Sequence, residues 1–221
     1  MRDETAFFRD KKVDTSRLIS FGFSQEGTKY AYQQPILDGV FVLYVLIDGD
    51  RVFTNVTDAK SKTEYCLHNV SGADGKFIGK VRMEYEQILT KIRDKCFIQH
   101  VFKTRAAEAV INFVHESFGD RLEFLWDKLP TAAILRHKVS KKWYAIFMKV
   151  SAQKLGLDDN SYIEILNLKV KSQNISKIVD NVKFFPAYHM NKSHWITVNL
   201  SKIDNISEIT PLILESYFLV S

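Results

Sequence analysis

The stretch Pro186–Leu200 reads PAYHMNKSHWITVNL. Two histidines, a lysine, an asparagine, a tyrosine and a tryptophan fall within Tyr188–Trp195, and polar and apolar residues then alternate. Alternation at a period of two is the pattern of a half-buried strand. The crowded head of the stretch admits a metal site, a catalytic group, an anion contact or the turn that leads into that strand.

Metal is the weakest of these. His189 and His194 offer two imidazoles, but no Asp, Glu or Cys lies between Asp180 and Asp204 to complete a set. Lys192 stands between the two histidines and would repel a dication. No metal and no cofactor are therefore expected. Nucleophilic catalysis lacks its signature, because neither Ser193 nor Ser216 sits in a Gly-x-Ser-x-Gly elbow. Acid–base chemistry by His189 or His194 stays open as an alternative, since an imidazole titrates near neutrality.

An anion contact uses more of the residues. Asn191, Lys192, His189 and His194 supply hydrogen-bond donors, and Tyr188 and Trp195 supply ring faces. A second basic feature, RHKVSKK at Arg136–Lys142, holds four fixed positive charges and a histidine in seven positions. Placed at the turn of a hairpin, Arg136, Lys138, Lys141 and Lys142 would project as a charged wing able to neutralise phosphates. The competing reading makes these stretches parts of the fold. Tyr188 and Trp195 would then cap the core edge, Asn191 would set the turn, Met190 would pack and His189 would bond a backbone carbonyl.

Outward from these motifs, the remaining strands of the second half are legible as TAAILRHKV, KWYAIFMKV and YIEILNLKV. Alternation in EILNLKV and WITVNL predicts a sheet with one buried face. Helical spacing is expected from Thr104 to Phe118 with Gly119 as the stop, over Ile175–Val182, and over Ser207–Tyr217. In the first half, VFVLYVLI and RVFTNVT flank Asp48-Gly49-Asp50 and predict a hairpin. From Lys80 to Phe97 the residues Val81, Tyr85, Ile88, Leu89, Ile92 and Cys96 share one helical face. Cys66 lies in a strand-like EYCLH, and both cysteines are expected to be buried.

The bulk numbers are compatible with a soluble globular protein. The chain has 221 residues, 46% hydrophobic and 26% charged, with a net charge of +5. The excess is spread as +2 over residues 1–103 and +3 over 104–221, which permits a polyanionic partner without demanding one. Two cysteines thirty residues apart exclude a disulfide scaffold or a sulfur-rich zinc module. The N-terminal MRDETAFFRDKKVD has no apolar signal core, and no apolar run is long enough for a membrane helix. A cytoplasmic location is expected.

The second half also resembles the MmcQ/YjbR family. The resemblance rests on Lys142-Trp143-Tyr144, Leu166-Asn167-Leu168-Lys169, Tyr188-His-Met-Asn-Lys-Ser-His-Trp195 and Ser216-Tyr-Phe-Leu-Val220. It implies an α+β domain over residues 104–221, with a CyaY-like fold, an antiparallel sheet and helices on one face. It also implies DNA binding through a double-wing motif, a label that rests on fold analogy. Residues 1–103 would be a smaller α+β extension domain, similar to that of longer family members. The expectation is thus a non-enzymatic DNA- or polyanion-binding protein using Arg136, Lys138, Lys141, Lys142 and Tyr188, His189, Asn191, Lys192, His194 and Trp195. A protein–protein interaction module built on the aromatic-rich N-terminal strands is the alternative.

Overall fold

The computed structural model describes residues 1–221 and resolves into two compact units, Met1–Val101 and Phe102–Ser221. Both are α+β with antiparallel sheets.

The first unit carries a five-stranded sheet in the order β1-β6-β5-β4-β3. Its strands are β1 (Arg2–Asp3), β3 (Ser24–Glu26), β4 (Lys29–Ile36), β5 (Phe41–Asp48) and β6 (Arg51–Asp58). Asp48 pairs with Arg51 across Gly49 and Asp50, with Gly49 at φ +59°, a conformation glycine adopts freely. Along β5 the residues Phe41, Leu43, Val45 and Ile47 point into the core. Against them packs α2 (Lys76–Cys96) through Val81, Tyr85, Ile88, Leu89, Ile92 and Cys96, the face that the 3.6-residue spacing defines. A short helix α1 (Thr15–Phe21) is capped by Asp14 and stopped by Gly22 in the left-handed region. β2 (Lys11–Val13) pairs with β7 (Phe97–Gln99). Cys66 departs from expectation. It is exposed and lies just before a 3-10 turn over Leu67–Asn69 rather than in a strand.

The second unit is built on a sheet ordered β11-β12-β10-β9-β8. These strands are β8 (Ala132–Arg136), β9 (Trp143–Ser151), β10 (Tyr162–Lys169), β11 (Phe184–Pro186) and β12 (Trp195–Asn199). α3 (Arg105–Phe118) begins at Thr104, whose hydroxyl accepts from Ala107 N, and ends at Gly119 with φ +66°. The helical piece after β10 is only α4 (Ile175–Ile178). α5 (Thr210–Phe218) follows a capping box formed by Asn205 and Glu208. Ser216 of α5 is fully buried. It donates to the carbonyl of Tyr144 in β9 and accepts from Lys169 N of β10 at 2.8 Å. Tyr217 stacks on Phe118 with ring centroids 3.8 Å apart and planes 5° apart.

The expectation of one buried sheet face is overturned. Every residue of β12 and all but the end residues of β10 are buried. One face of these strands meets the helices. On the other, Ile134, Ile146 and Trp195 gather Trp126, Trp143, Met148 and Met190 around them. Further along that face, Val150, Ile163 and Ile165 gather Leu155, Leu157 and Tyr188. Loop residues therefore cover the face that alternation assigned to solvent, and Asn167 and Thr197, polar by sequence, face each other in the interior. The other irregularity is a bulge in β9. Leu135 pairs with Ala145 and Arg136 with Trp143, so Tyr144 is extra. The bulge sends the rings of two consecutive residues to different surroundings. Trp143 meets Trp126 edge to face at 5.7 Å, and Tyr144 donates to Asp120 at 3.0 Å in the core.

Candidate functional site

The strand register settles where the two basic motifs lie relative to each other. β8 ends, β9 begins, β10 ends and β12 begins at one end of the sheet, because Arg136 pairs with Trp143, Leu168 with Ala145, and Lys169 with Trp195. The 137–142 turn therefore crowns the β8–β9 edge, and the 187–194 loop crowns the β11–β12 edge of the same end. With neighbouring strands about 4.8 Å apart, the two turns stand about 14 Å from each other.

The 137–142 turn is closed by His137 N to Lys142 O at 2.9 Å and Lys141 N to His137 O at 3.0 Å. Lys141 takes a left-handed backbone, φ +61°. Its basic residues divide into two kinds. Arg136 is occupied internally. Its Nε donates to both oxygens of Glu123, its Nη2 lies 3.0 Å from Glu123 Oε2, and its Nη1 donates to Lys141 O. Lys138 is likewise engaged, donating to the Phe118 carbonyl at 2.7 Å and sitting 3.9 Å from Asp120. An ammonium on the last carbonyls of a helix satisfies both the orphan acceptors and the negative end of the dipole. Lys141 and Lys142 are exposed and make no ion pair.

The 187–194 loop is anchored by polar residues of the buried face. Tyr188 N donates to Thr197 Oγ1 at 2.8 Å, and Asn167 Nδ2 donates to Tyr188 O at 3.0 Å. Thr197 in turn donates to Asn167 Oδ1, closing a three-residue network. Asn191 forms the turn itself: its side chain accepts from Ser193 N, and its carbonyl accepts from His194 N and Trp195 N. His189 adopts φ +55° and meets Tyr188 edge to face at 4.2 Å. His194 is exposed with Nδ1 2.9 Å from Ser172 Oγ. Lys192 is exposed.

Trp195 is 8% exposed and belongs to the apolar cluster with Ile134 and Ile146, so its ring is not available for stacking. Arg136 is taken up by its Glu123 pair, and Lys138, though exposed, is tethered to the Phe118 carbonyl. The exposed residues that remain together are Lys141, Lys142, His189, Asn191, Lys192 and His194, with Tyr188 half-buried. Lys169 and Lys171 approach the same sheet end. Their position follows from the register of β10, which no short motif records.

A groove of about 490 Å³ lies on the loop-covered face of the sheet. Its walls include Trp126, Trp143, Met148, Tyr188, His189 and Met190, with Lys149 and Lys154 among the lining residues. No Asp or Glu side chain lines it, so the imidazole of His189 has no carboxylate orienter there. Trp126 stands outside every motif of the sequence. A Glu123–Ile134 backbone bridge carries it to the sheet. Ser216, the hydroxyl in the last family motif, is spent on two strands, and the neighbouring Tyr144 phenol is pushed well above its ordinary range by burial and by Asp120.

No helix is long and apolar enough to cross a membrane. The YjbR family model matches residues 119–219. The uncharacterised Bacillus subtilis protein YyaQ is 39% identical over 112 residues, which is 51% of this chain and 95% of YyaQ. A crystal structure of a Pseudomonas syringae protein is 32% identical, with a TM-score of 0.50 over 52% of this chain and 97% of that one. The motifs, the sheet they build and these relatives agree: the chain belongs to the YjbR family, through its second unit.

Proposed function

We propose that this is a cytoplasmic, non-enzymatic protein that binds nucleic acid, with single strands the preferred form. The YjbR-type region from residue 104 would be the binding domain, and residues 1–103 an added domain. The observation that carries the reading is the continuity of the 187–194 loop. Its Lys192 stands at a sheet end shared with Lys141 and Lys142, while its Tyr188 and His189 wall the aromatic groove. Exposed lysines neutralise backbone phosphates, and ring faces accept bases of any sequence. Lys149 on β9, a strand about 27 Å long, and Lys154 in the turn after it extend positive charge along a groove lined by no carboxylate. No helix is placed as a reading head, so the contact is of backbone and base faces.

Fluorescence anisotropy with labelled single-stranded and duplex oligonucleotides at low salt tests this. Single-strand binding that weakens steeply with salt and quenches tryptophan emission is expected. Absence of any binding tighter than about tens of micromolar, the weak end of non-specific affinity, would overturn it. Tighter binding to duplex would keep the polyanion contact and remove the role of the groove.

A further inference from the structure

The first unit contains a second cavity, of about 470 Å³, with His68 in its wall. His68 is 4% exposed, and neither ring nitrogen completes a hydrogen bond of good geometry, although the Tyr65 carbonyl lies near enough to pull weakly on the ring. The ring is held between two tyrosines, parallel to Tyr65 at 5.8 Å and tilted against Tyr85 at 4.7 Å. A neutral imidazole carries one N–H donor and one acceptor, and burying both without partners forfeits their hydration. Nothing in the packing asks for a polar ring at this place. A phenyl ring would fill the slot between the tyrosines at no such cost.

The charged groups around the cavity are Arg2, Arg82, Glu4 and Glu86. Glu4 is already satisfied, since its Oε1 lies 2.9 Å from Arg2 Nε and accepts from Tyr85 OH at 2.7 Å. Tyr85 OH is also 2.7 Å from Thr54 Oγ1. Glu86 makes no ion pair and is exposed. Arg82 donates to the carbonyls of His68, Val70 and Ala73, which pins the 68–73 loop over the cavity and leaves its charge uncompensated by any carboxylate. Burial first, then Arg2 and Arg82, hold the His68 imidazolium form down, to a pKa of about 4, against a small opposing pull from the Tyr65 carbonyl. The ring is thus neutral at neutral pH, and Arg82 is the cavity's cation that no carboxylate pairs.

We propose that this cavity binds a small oxyanion, a carboxylate or phosphate group, with the His68 N–H as donor and Arg82 as the compensating charge. The volume falls within the roughly 300–1,000 Å³ usual for small-molecule sites, and the Tyr85 ring, Phe7 and Leu89 offer apolar surface for the remainder of a ligand. The site lies in the unit outside the YjbR match, so it is independent of the nucleic-acid reading.

The test is histidine side-chain ¹⁵N NMR on the full chain at pH 7, titrated with inorganic phosphate in one arm and malonate in the other. A saturable shift of the His68 ring nitrogens below about 10 mM in either arm is expected, and the arm that saturates names the oxyanion. Phe in place of His (His68→Phe) is expected to keep or raise the melting temperature and to weaken binding at least tenfold by calorimetry. No saturable shift at His68 with either anion overturns the proposal. So does binding unchanged in His68→Phe. If that variant fails to fold, His68 is a structural residue, and the wild-type ¹⁵N titration alone decides.

Discussion

Glu164 Oε2 accepts hydrogen bonds from both the backbone nitrogen and the hydroxyl of Thr104, at 2.9 and 2.8 Å. Lys103 N donates to the same carboxylate at 2.9 and 3.1 Å. A carboxylate 5% exposed on β10 thereby caps the start of α3, where orphan N–H groups and the helix dipole favour negative charge. Replacing it by alanine leaves these donors without their acceptor. Glu164→Ala is expected to destabilise the second unit by about 2–4 kcal/mol, read by urea denaturation. Glu164→Gln, which keeps an acceptor oxygen, should lose less.

The two kinds of lysine in RHKVSKK separate stability from binding. Lys138→Ala removes the ammonium from the Phe118 carbonyl and should cost about 0.5–1.5 kcal/mol with little change in affinity for oligonucleotide. Combined Lys141→Glu, Lys142→Glu and Lys192→Glu should leave the melting temperature nearly unchanged. It should also lower the slope of log K against log salt for single strands by about 2. Equal slopes in the two proteins would place the phosphate contacts elsewhere.

Asn167→Leu removes the donor to Tyr188 O and the acceptor of Thr197. The unfolding free energy should fall by about 1–3 kcal/mol, because the loop carbonyl and the Thr197 hydroxyl lose buried partners. Oligonucleotide affinity should fall with it if Tyr188 and His189 are contact residues. Destabilisation with undiminished affinity would separate the loop from the binding surface.

His68 makes the stability of the first unit depend on pH. Its folded pKa is lowered to about 4, by burial first and then by Arg2 and Arg82, whereas the unfolded imidazole titrates near 6.5. Below about pH 6.5 the unfolded chain takes up a proton that the folded chain refuses, so stability falls as pH drops from 6.5 towards 4 and levels below that. The loss is about 3 kcal/mol at about 1.4 kcal/mol per unit. His68→Phe should flatten this part of the stability–pH curve, and a wild-type curve flat between pH 6.5 and 4.5 would contradict the assignment.

The thiols should react at very different rates. Cys66 is exposed, while Cys96 is fully buried and its pKa is pushed up to about 11, by burial foremost. Since the thiolate is the nucleophile, Ellman's reagent should titrate one thiol in the native protein at pH 8 and two in guanidinium. Two fast thiols in the native state would mean that the Cys96 end of α2 opens readily.

The sequence by itself determined the elements with strong local periods: α2 and its six-residue buried stripe, the β5–β6 hairpin at Asp48–Arg51, the four main strands of the second unit and the Gly119 stop. These depend on side chains three, four or two positions apart, which any stretch of chain discloses. The same locality made the family motifs legible as a fold signature, and the structure explains why. Ser216 ties α5 to two strands, Asn167 and Thr197 anchor a loop, and Tyr144 bonds Asp120.

Tertiary structure alone decided which of the charged and aromatic residues are free. Arg136 is occupied by Glu123 and Lys138 by Phe118, thirteen and twenty residues away along the chain. Trp195 is covered by residues from β8 and β9. Burial of the second sheet face, which alternation assigned to water, likewise comes from loops that carry no period. PAYHMNKSHWITVNL holds its cation, its turn and its core tryptophan in one line of text. Only the register of β10 and β12 places Lys192 at the sheet end of Lys141 and Lys142 and sends Trp195 inside, because partners distant in sequence compete for each side chain and the fold chooses among them.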